Sequence, residues 1–416
     1  IRRVRAEGDA ALSAYTRELD GVAVPPAGLR LTPAEIGAGA ASASAELRQA
    51  VERAAGNIRR FHEMQRRRDL ELPNADGLLG LRFVPLARVG AYVPGGAGGT
   101  TPLISSLLMN VIPAQVAGVP SIAVCSPPRA DGTLAPGLLY ALQLLGVDEI
   151  YRIGGAQAVA ALAYGTPTMP PVDTIVGPGN RFVTEATRQV YGRVGLDMLA
   201  GPSEVAIIAD GSADPRHVAA DLLAQAEHDP EAGAILMTPE RELAIAVGRA
   251  IEEFLPGLPR AAVIAASLAA HGGAIVTRDL DEALVLADKM APEHLELLVA
   301  DPSALAGRVR RAGAVFLGPY SPEALGDYAA GSNHVLPTNG TARFSSGLGV
   351  DDFLRRMAVI QAGKDAFAAD APAALALARA EGLAAHALSL EIRMAPNARR
   401  AVAARPAMDR DLEEGR

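Results

Sequence analysis

The chain has 416 residues, half of them hydrophobic, with a formal net charge of -8, one cysteine and no tryptophan. That length can bury ample core and suits two or more domains. The acidic balance and missing tryptophan exclude a general nucleic-acid binder, which needs a basic, aromatic-rich surface.

Residues before about Arg82 read as helix-rich, with Arg, Glu and Ala at helical spacing, and the Arg-rich stretches at Ile1 to Arg5 and Arg59 to Arg68 read as solvated helix faces. The run from Leu103 to Val124 is apolar, but Asn110, Pro113, Gln115 and Pro120 interrupt it, so it predicts a helix followed by a strand and no membrane span. No signal peptide is expected, and the chain opens at Ile1 without a Met, which leaves its natural start open. The single cysteine, Cys125, lies in the apolar run SIAVCSPP. It cannot form an internal disulfide, which fits a reducing cytoplasm, and it reads as a buried structural thiol.

From Ile122 onward, short β-branched runs alternate with helical stretches: SIAVCSP, PGLLYALQLLG, EIYRIGG, AQAVAALAYG, TIVGPG and a helix from Arg181. A second series follows Gly201-Pro202, with VAIIAD, GAILMTP, GAIVTRD, HLELLVAD and GAVFLG as strands and helices starting near Pro215, Glu240, Asp281 and Pro302. Such alternation predicts parallel sheets with crossover helices, here two α/β domains in tandem. The tail after Asp351 is Ala-rich with one strand-like stretch, ALSLEIRM, and packs either on a partner subunit or on its own core.

Glycine-rich turns precede helices at VPGGAGG, IGGAQA and VGPGNRF, where backbone N–H groups could meet phosphates. None completes G-x-G-x-x-G: Thr101 and Phe182 stand where third glycines are needed. Each alone reads as an ordinary tight turn, and a dinucleotide, if bound, would use a non-standard mode.

In ADLLAQAEHDP, Gln225 and His228 stand three apart at the end of a helix that Asp214 caps and Pro215 starts. Val218, Ala219, Leu222, Leu223 and Ala226 form its apolar stripe, with Gln225 and His228 on the flank near the C-terminal end, where the macrodipole favours a cation. Two donors alone make an ordinary surface pair, since a zinc site needs three or four. Asp327 follows the strand GAVFLG, on the C-terminal side of a parallel sheet where such folds place ligands, and His386 lies in EGLAAHALSLEIR; in isolation each is equally an ordinary polar residue. Glu293 and His294 are an adjacent carboxyl and imidazole just before a strand, pointing to opposite sides and suited to different protons, or else a hydrogen-bonded turn. His334 in GSNHVLPT decides nothing alone, and His62, His217 and His271 read as structural.

In this order, the segments VGAYVPGG, DEIYRIGGAQAVAALAYGT, VDTIVGPGN, LDMLAGPSEVAIIAD, AADLLAQAEHDP, APEHLEL, GDYAAGSNHVLPTNGTARFSSGLGVDDF and EGLAAHALSLEIR resemble the histidinol dehydrogenase family over nearly the whole chain. The resemblance implies two tandem incomplete Rossmann-like α/β domains with parallel sheets, a helical N-terminal segment and a small swapped C-terminal tail domain. The first domain would span 1–91 and 203–348 and carry the zinc and catalytic residues. The second, on the NAD side, would span 92–202, and a dimerisation tail would occupy 349–416.

By the same resemblance, Gln225, His228, Asp327 and His386 bind one zinc ion per subunit, His386 coming from the other subunit of a homodimer. Glu293 and His294 fall on the catalytic acid/base pair, and Ser203 and Glu381 on substrate-contacting positions alongside the metal ligands and His294. Tyr92, Gln157 and Asn180 fall on positions lining the NAD site. The implied reaction is the four-electron oxidation of L-histidinol to L-histidine, in the cytoplasm. Rival readings are a relative acting on another polar alcohol such as a sulfonated diol, a zinc hydrolase, and a non-catalytic binding protein.

Overall fold

The computed structural model describes residues 1–74, 76–95, 102–199 and 201–394. They divide into two compact units, one formed by 1–66 and 85–355, the other by 67–84 and the chain from 356 onward. No helix among the described residues is long and apolar enough to cross a membrane.

The larger unit opens with helices α1 (Arg2–Glu7), α2 (Asp9–Leu19), α3 (Pro33–Ala41) and α4 (Ala45–Glu63). Local chemistry sets these starts: Thr32 and Glu35 form a capping box ahead of Pro33, and the Ser44 hydroxyl accepts from Leu47 N–H. Val51, Ala54, Ala55, Ile58 and His62 make the buried face of α4. The helices expected up to Arg82 end at Glu63, since β1 (Leu70–Asn74) and β2 (Gly77–Pro85) follow, mostly in the smaller unit.

The first parallel sheet is built from β3 (Arg88–Tyr92), β4 (Ser121–Ser126), β5 (Glu149–Arg152), β6 (Thr174–Val176) and β7 (Gly195–Leu196). Between them run α5 (Ile104–Ala117), α6 (Pro136–Leu144), α7 (Gly155–Tyr164) and α8 (Arg181–Val190). The apolar run at Leu103 to Val124 is thus helix α5 and strand β4, with Cys125 fully buried in β4. Helix α5 is apolar around nearly its whole circumference and correspondingly buried.

The second sheet comprises β8 (Glu204–Ala209), β9 (Gly233–Thr238), β10 (Gly272–Val276), β11 (His294–Leu298) and β12 (Ala314–Leu317). Its helices are α9 (Pro215–Ala226), α10 (Arg241–Phe254), α11 (Ala261–His271), α12 (Leu280–Met290), α13 (Pro302–Ala306) and α14 (Glu323–Tyr328). The Asp214 carboxylate caps α9, and the stripe Val218, Ala219, Leu222, Leu223 and Ala226 is buried.

Strand order is β5-β4-β3-β6-β7 in one sheet and β10-β9-β8-β11-β12 in the other, and all pairings are parallel. Each therefore starts at a central strand, builds two strands to one side, then two to the other, the doubly wound pattern of nucleotide-binding folds.

The smaller unit holds β1, β2 and β13 (Leu354–Gln361) in one sheet, followed by α15 (Lys364–Ala380) and α16 (Ala384–Met394). ALSLEIRM is helix α16, not the strand expected. Its alternating Leu and Ile mimic a period of two, but Ala, Leu, Glu, Arg and Met are strong helix formers and Ile392 is its one β-branched residue.

Candidate active site

His294 is the first residue of β11 and pairs with Val205 on β8 and Ala314 on β12, so Glu293, His294 and Ser203 all lie at the N-terminal edge of the second sheet. Helices α9 and α14 run back against the strand direction and return their last residues, with Gln225, His228 and Asp327, to that edge. This corrects the expectation that Asp327 marks the C-terminal side of the sheet. It follows a strand in sequence, but the intervening helix carries it back across the layer.

Gln225 and His294 are buried, with Gln225 0% and His294 3% exposed, whereas the His228 side chain is 46% exposed and lies at the mouth of the cluster. His228 Nε2 lies 3.8 Å from Glu323 Oε1 and 3.9 Å from Asp327 Oδ2. His294 Nδ1 lies 3.8 Å from Glu323 Oε2 and 3.9 Å from Glu293 Oε2, and His294 Nε2 lies 3.8 Å from Asp327 Oδ1. Glu293 Oε2 accepts from Glu204 N–H at 3.1 Å, and the Ser203 hydroxyl also donates to this carboxyl.

The Gln225 amide takes the orientation in which Nε2 faces Glu323, 2.9 and 2.8 Å from its two oxygens; the reverse would set Oε1 against a carboxylate. That choice turns Oε1 away from Glu323 and leaves it available as a ligand.

The cluster is short of positive charge. Burial, then the charges of Asp327, Glu296 and Glu293, raise the Glu323 carboxyl well above its ordinary range. Burial likewise raises Glu293, with the hydrogen bonds from Glu204 and Ser203 opposing, and lifts Asp327 to about 6. Burial pushes His294 down to about 3, with His228 and His334 adding to the effect, so its imidazole is neutral. Its Nε2, buried, has no hydrogen-bond partner among the described residues.

Such a site suits a cation. One nitrogen and two carboxylate oxygens from His228, Glu323 and Asp327 lie within 4.8 Å of one another. Two ligand atoms about 2 Å from a tetrahedral zinc ion stand roughly 3.3 Å apart, so the 3.8 and 3.9 Å separations from His228 need to close by only tenths of an ångström. A cavity of about 570 Å³ borders Phe61, Phe316 and Asn333, but none of Gln225, His228, Glu293, His294 or Asp327 lines it. The donors, not that cavity, mark the chemistry.

The histidinol dehydrogenase family profile matches residues 1–394. Histidinol dehydrogenase of Moorella thermoacetica is 54% identical over 394 residues, covering 94% of this chain and 92% of its own, and that of Geobacillus kaustophilus is 51% identical, covering 95% and 92%. The crystal structure of histidinol dehydrogenase from Elizabethkingia anophelis superposes with a TM-score of 0.90 at 37% identity, covering 94% of this chain and 90% of that one. The chain belongs to the histidinol dehydrogenase family.

Of the remaining positions singled out by resemblance to the histidinol dehydrogenase family, three flank the first sheet. Tyr92, Gln157 and Asn180 gather at the C-terminal edge of the first sheet, beside the point where its strand order reverses between β3 and β6. The Tyr92 hydroxyl accepts from Gly155 N–H at 3.1 Å, and Asn180 caps α8 by accepting from Phe182 and Val183 N–H. Gly177 has φ 112°, and a Cβ there would stand 2.2 Å from the Tyr92 carbonyl, so this turn requires glycine. Most of VPGGAGG lies outside the described residues. Glu381 ends α15 and His386 lies in the first turns of α16, both exposed and both in the smaller unit.

Glu323 escaped sequence reasoning, and His334 was left undecided by it. Glu323, 1% exposed, bonds Gln225 and sits between the two imidazoles; its signal was its place four residues before Asp327, on the same helical face. His334 donates Nδ1–H to the Asp327 carbonyl and accepts the Ser106 hydroxyl at Nε2, each at 3.1 Å, tying α5 to α14. Burial pushes it down to about 4 and keeps it neutral.

Proposed function

We propose that the chain oxidises L-histidinol to L-histidine through L-histidinaldehyde, delivering two hydrides in turn to two NAD molecules. Family membership and relatives about half identical over more than nine-tenths of the chain support this. The observation that carries it is the buried Glu293/His294 pair set against the Gln225, His228 and Asp327 donors at one sheet edge.

In this reading Gln225, His228 and Asp327 hold zinc together with His386 of the partner subunit in a domain-swapped homodimer. Zinc, when bound, would orient the amino and imidazole nitrogens of the substrate. Ser203 and Glu381 contact the substrate; Tyr92, Gln157 and Asn180 line the NAD site. The division into 1–91 with 203–348, 92–202 and 349–416 belongs to the same proposal, as does a cytoplasmic location.

His294 accepts the alcohol proton as the first hydride leaves, a task that its neutral ring and free Nε2 suit. Glu293 then takes a proton from water as it adds to the aldehyde, a role helped by burial, which raises its carboxyl above its ordinary range and makes it a stronger base when ionised. His294 returns its proton to the aldehyde oxygen as water adds, then accepts a proton from the hydrate as the second hydride leaves, and the resulting acid ionises to the carboxylate.

The test is a substrate panel with purified protein and NAD. NADH formation from histidinol but not from a sulfonated diol supports the proposal; the reverse preference, or hydrolysis without NADH, would overturn it.

A further inference from the structure

Beneath the donors lies a pair of acids with no part in the chemistry above. Along β11, Glu296 is two residues on from His294 and so shares its face of the sheet. It is 0% exposed, and its Oε1 accepts from Glu323 N–H at 2.7 Å. Its other carboxyl oxygen is buried without a hydrogen-bond partner among the described residues, on the side that faces the Asp221 carboxyl, one turn before Gln225 on α9. Two carboxyl groups that face each other disfavour each other's ionised form. Burial, reinforced for Glu296 by the charge of Asp221, raises both acids.

The pair thus ties together β11, α9 and the start of α14. Helix α14 has six residues and no side-chain cap at Pro322, so it cannot hold its own first turn. Yet it carries Glu323 and Asp327, four residues apart on one face, and Glu323 sets the Gln225 amide. We propose that Glu296, whose Oε1 accepts the Glu323 N–H, is a positioning residue that anchors α14 and thereby sets Glu323, Asp327 and Gln225 for metal binding. The inference deepens the zinc-site reading and rests on it for its consequence, though not for its geometry.

Glu296→Gln is the informative conservative change. Its Oε1 still accepts Glu323 N–H, and its amide can donate to the Asp221 carboxylate. Glu296→Met leaves Glu323 N–H without an acceptor and takes the Glu296 carboxyl away from Asp221.

Two readouts are taken on purified full-length chain: zinc affinity by competition with a chelating dye, and amide hydrogen exchange of residues 323–328. Outer partners of metal ligands typically contribute about 10–100-fold in affinity. Glu296→Met should weaken zinc about tenfold or more and speed exchange in α14, while Glu296→Gln stays within about twofold of the parent in both. Equal zinc affinity and equal exchange in Glu296→Met, or a Glu296→Gln variant as impaired as Glu296→Met, would overturn the proposal. If Glu296→Met does not fold, Asp221→Leu takes its place: weaker zinc binding and faster α14 exchange support the anchor, and parental values of both oppose it. A parent chain that binds no zinc would defeat the zinc reading, while the exchange comparison would still decide the anchoring.

Discussion

Replacing Glu293 with Gln separates the water step from the rest. The carboxyl is 5% exposed, with Oε2 3.1 Å from Glu204 N and 3.9 Å from His294 Nδ1. Gln matches its shape and can keep a carbonyl oxygen toward Glu204, so the cluster should hold its geometry. What is lost is a base, worth about 10²–10⁴-fold, or roughly 3–5 kcal/mol of barrier. The first hydride transfer does not need that base. Stopped-flow mixing with histidinol and NAD should show one NADH formed per site at near-parental rate, followed by a second slowed by that factor.

Stability should move the other way. The folded pKa of Glu293 is raised above its ordinary 4.5, so its contribution is fully present below 4.5 and is lost as pH rises through the folded value. The Gln variant, which never ionises, should therefore gain on the parent in urea melts as pH rises above 4.5. Equal slowing of both hydride transfers, or a variant within tenfold of the parent, would refute the assignment of Glu293 to water.

Other consequences can be checked directly. His62 donates Nδ1–H to the Ile58 carbonyl, Asn333 Nδ2 lies 3.4 Å from its Nε2, and burial lowers its pKa below 6.5. The stability it provides is thus present above pH 6.5 and lost below it, and the gap between parent and His62→Gln in urea melts should shrink by up to about 1.4 kcal/mol per pH unit on acidification. A gap that widens on acidification would contradict the buried neutral ring. Cys125 is 0% exposed with its thiol pushed up by burial, so a thiol reagent should label it only after unfolding; rapid labelling of the native chain would count against that packing. Mixing subunits carrying His386→Ala with subunits carrying His294→Asn should restore about a quarter of parental activity if His386 crosses to the partner, because each mixed dimer then holds one intact site. No recovery after mixing would argue that each site draws its His386 from its own chain.

Local patterns carried much of the architecture. The Asp214-Pro215 start and apolar stripe of α9 could be read directly, because capping and helical periodicity act within a few residues. So could the parallel strands, whose β-branched runs alternate with helices. The meeting of Gln225 and His228 with Asp327 and His294 could not be read from spacing, since it depends on which end of each helix returns to which edge of the sheet. That long-range feature also put Asp327 on the wrong edge in the sequence reading. Glu296 left a trace, a charge inside the apolar strand HLELL, but its partner Asp221 lies 75 positions earlier in the chain and no periodicity links them. ALSLEIRM shows the opposite failure, a short alternation overruled by helix propensity.

The most direct measurement of the central claim is the number of NADH molecules formed per histidinol consumed, taken before and after zinc is stripped with a chelator and then restored. The proposed reaction requires two NADH per histidinol, loss of turnover on stripping and recovery with zinc. A ratio of one, or turnover indifferent to the chelator, would contradict it.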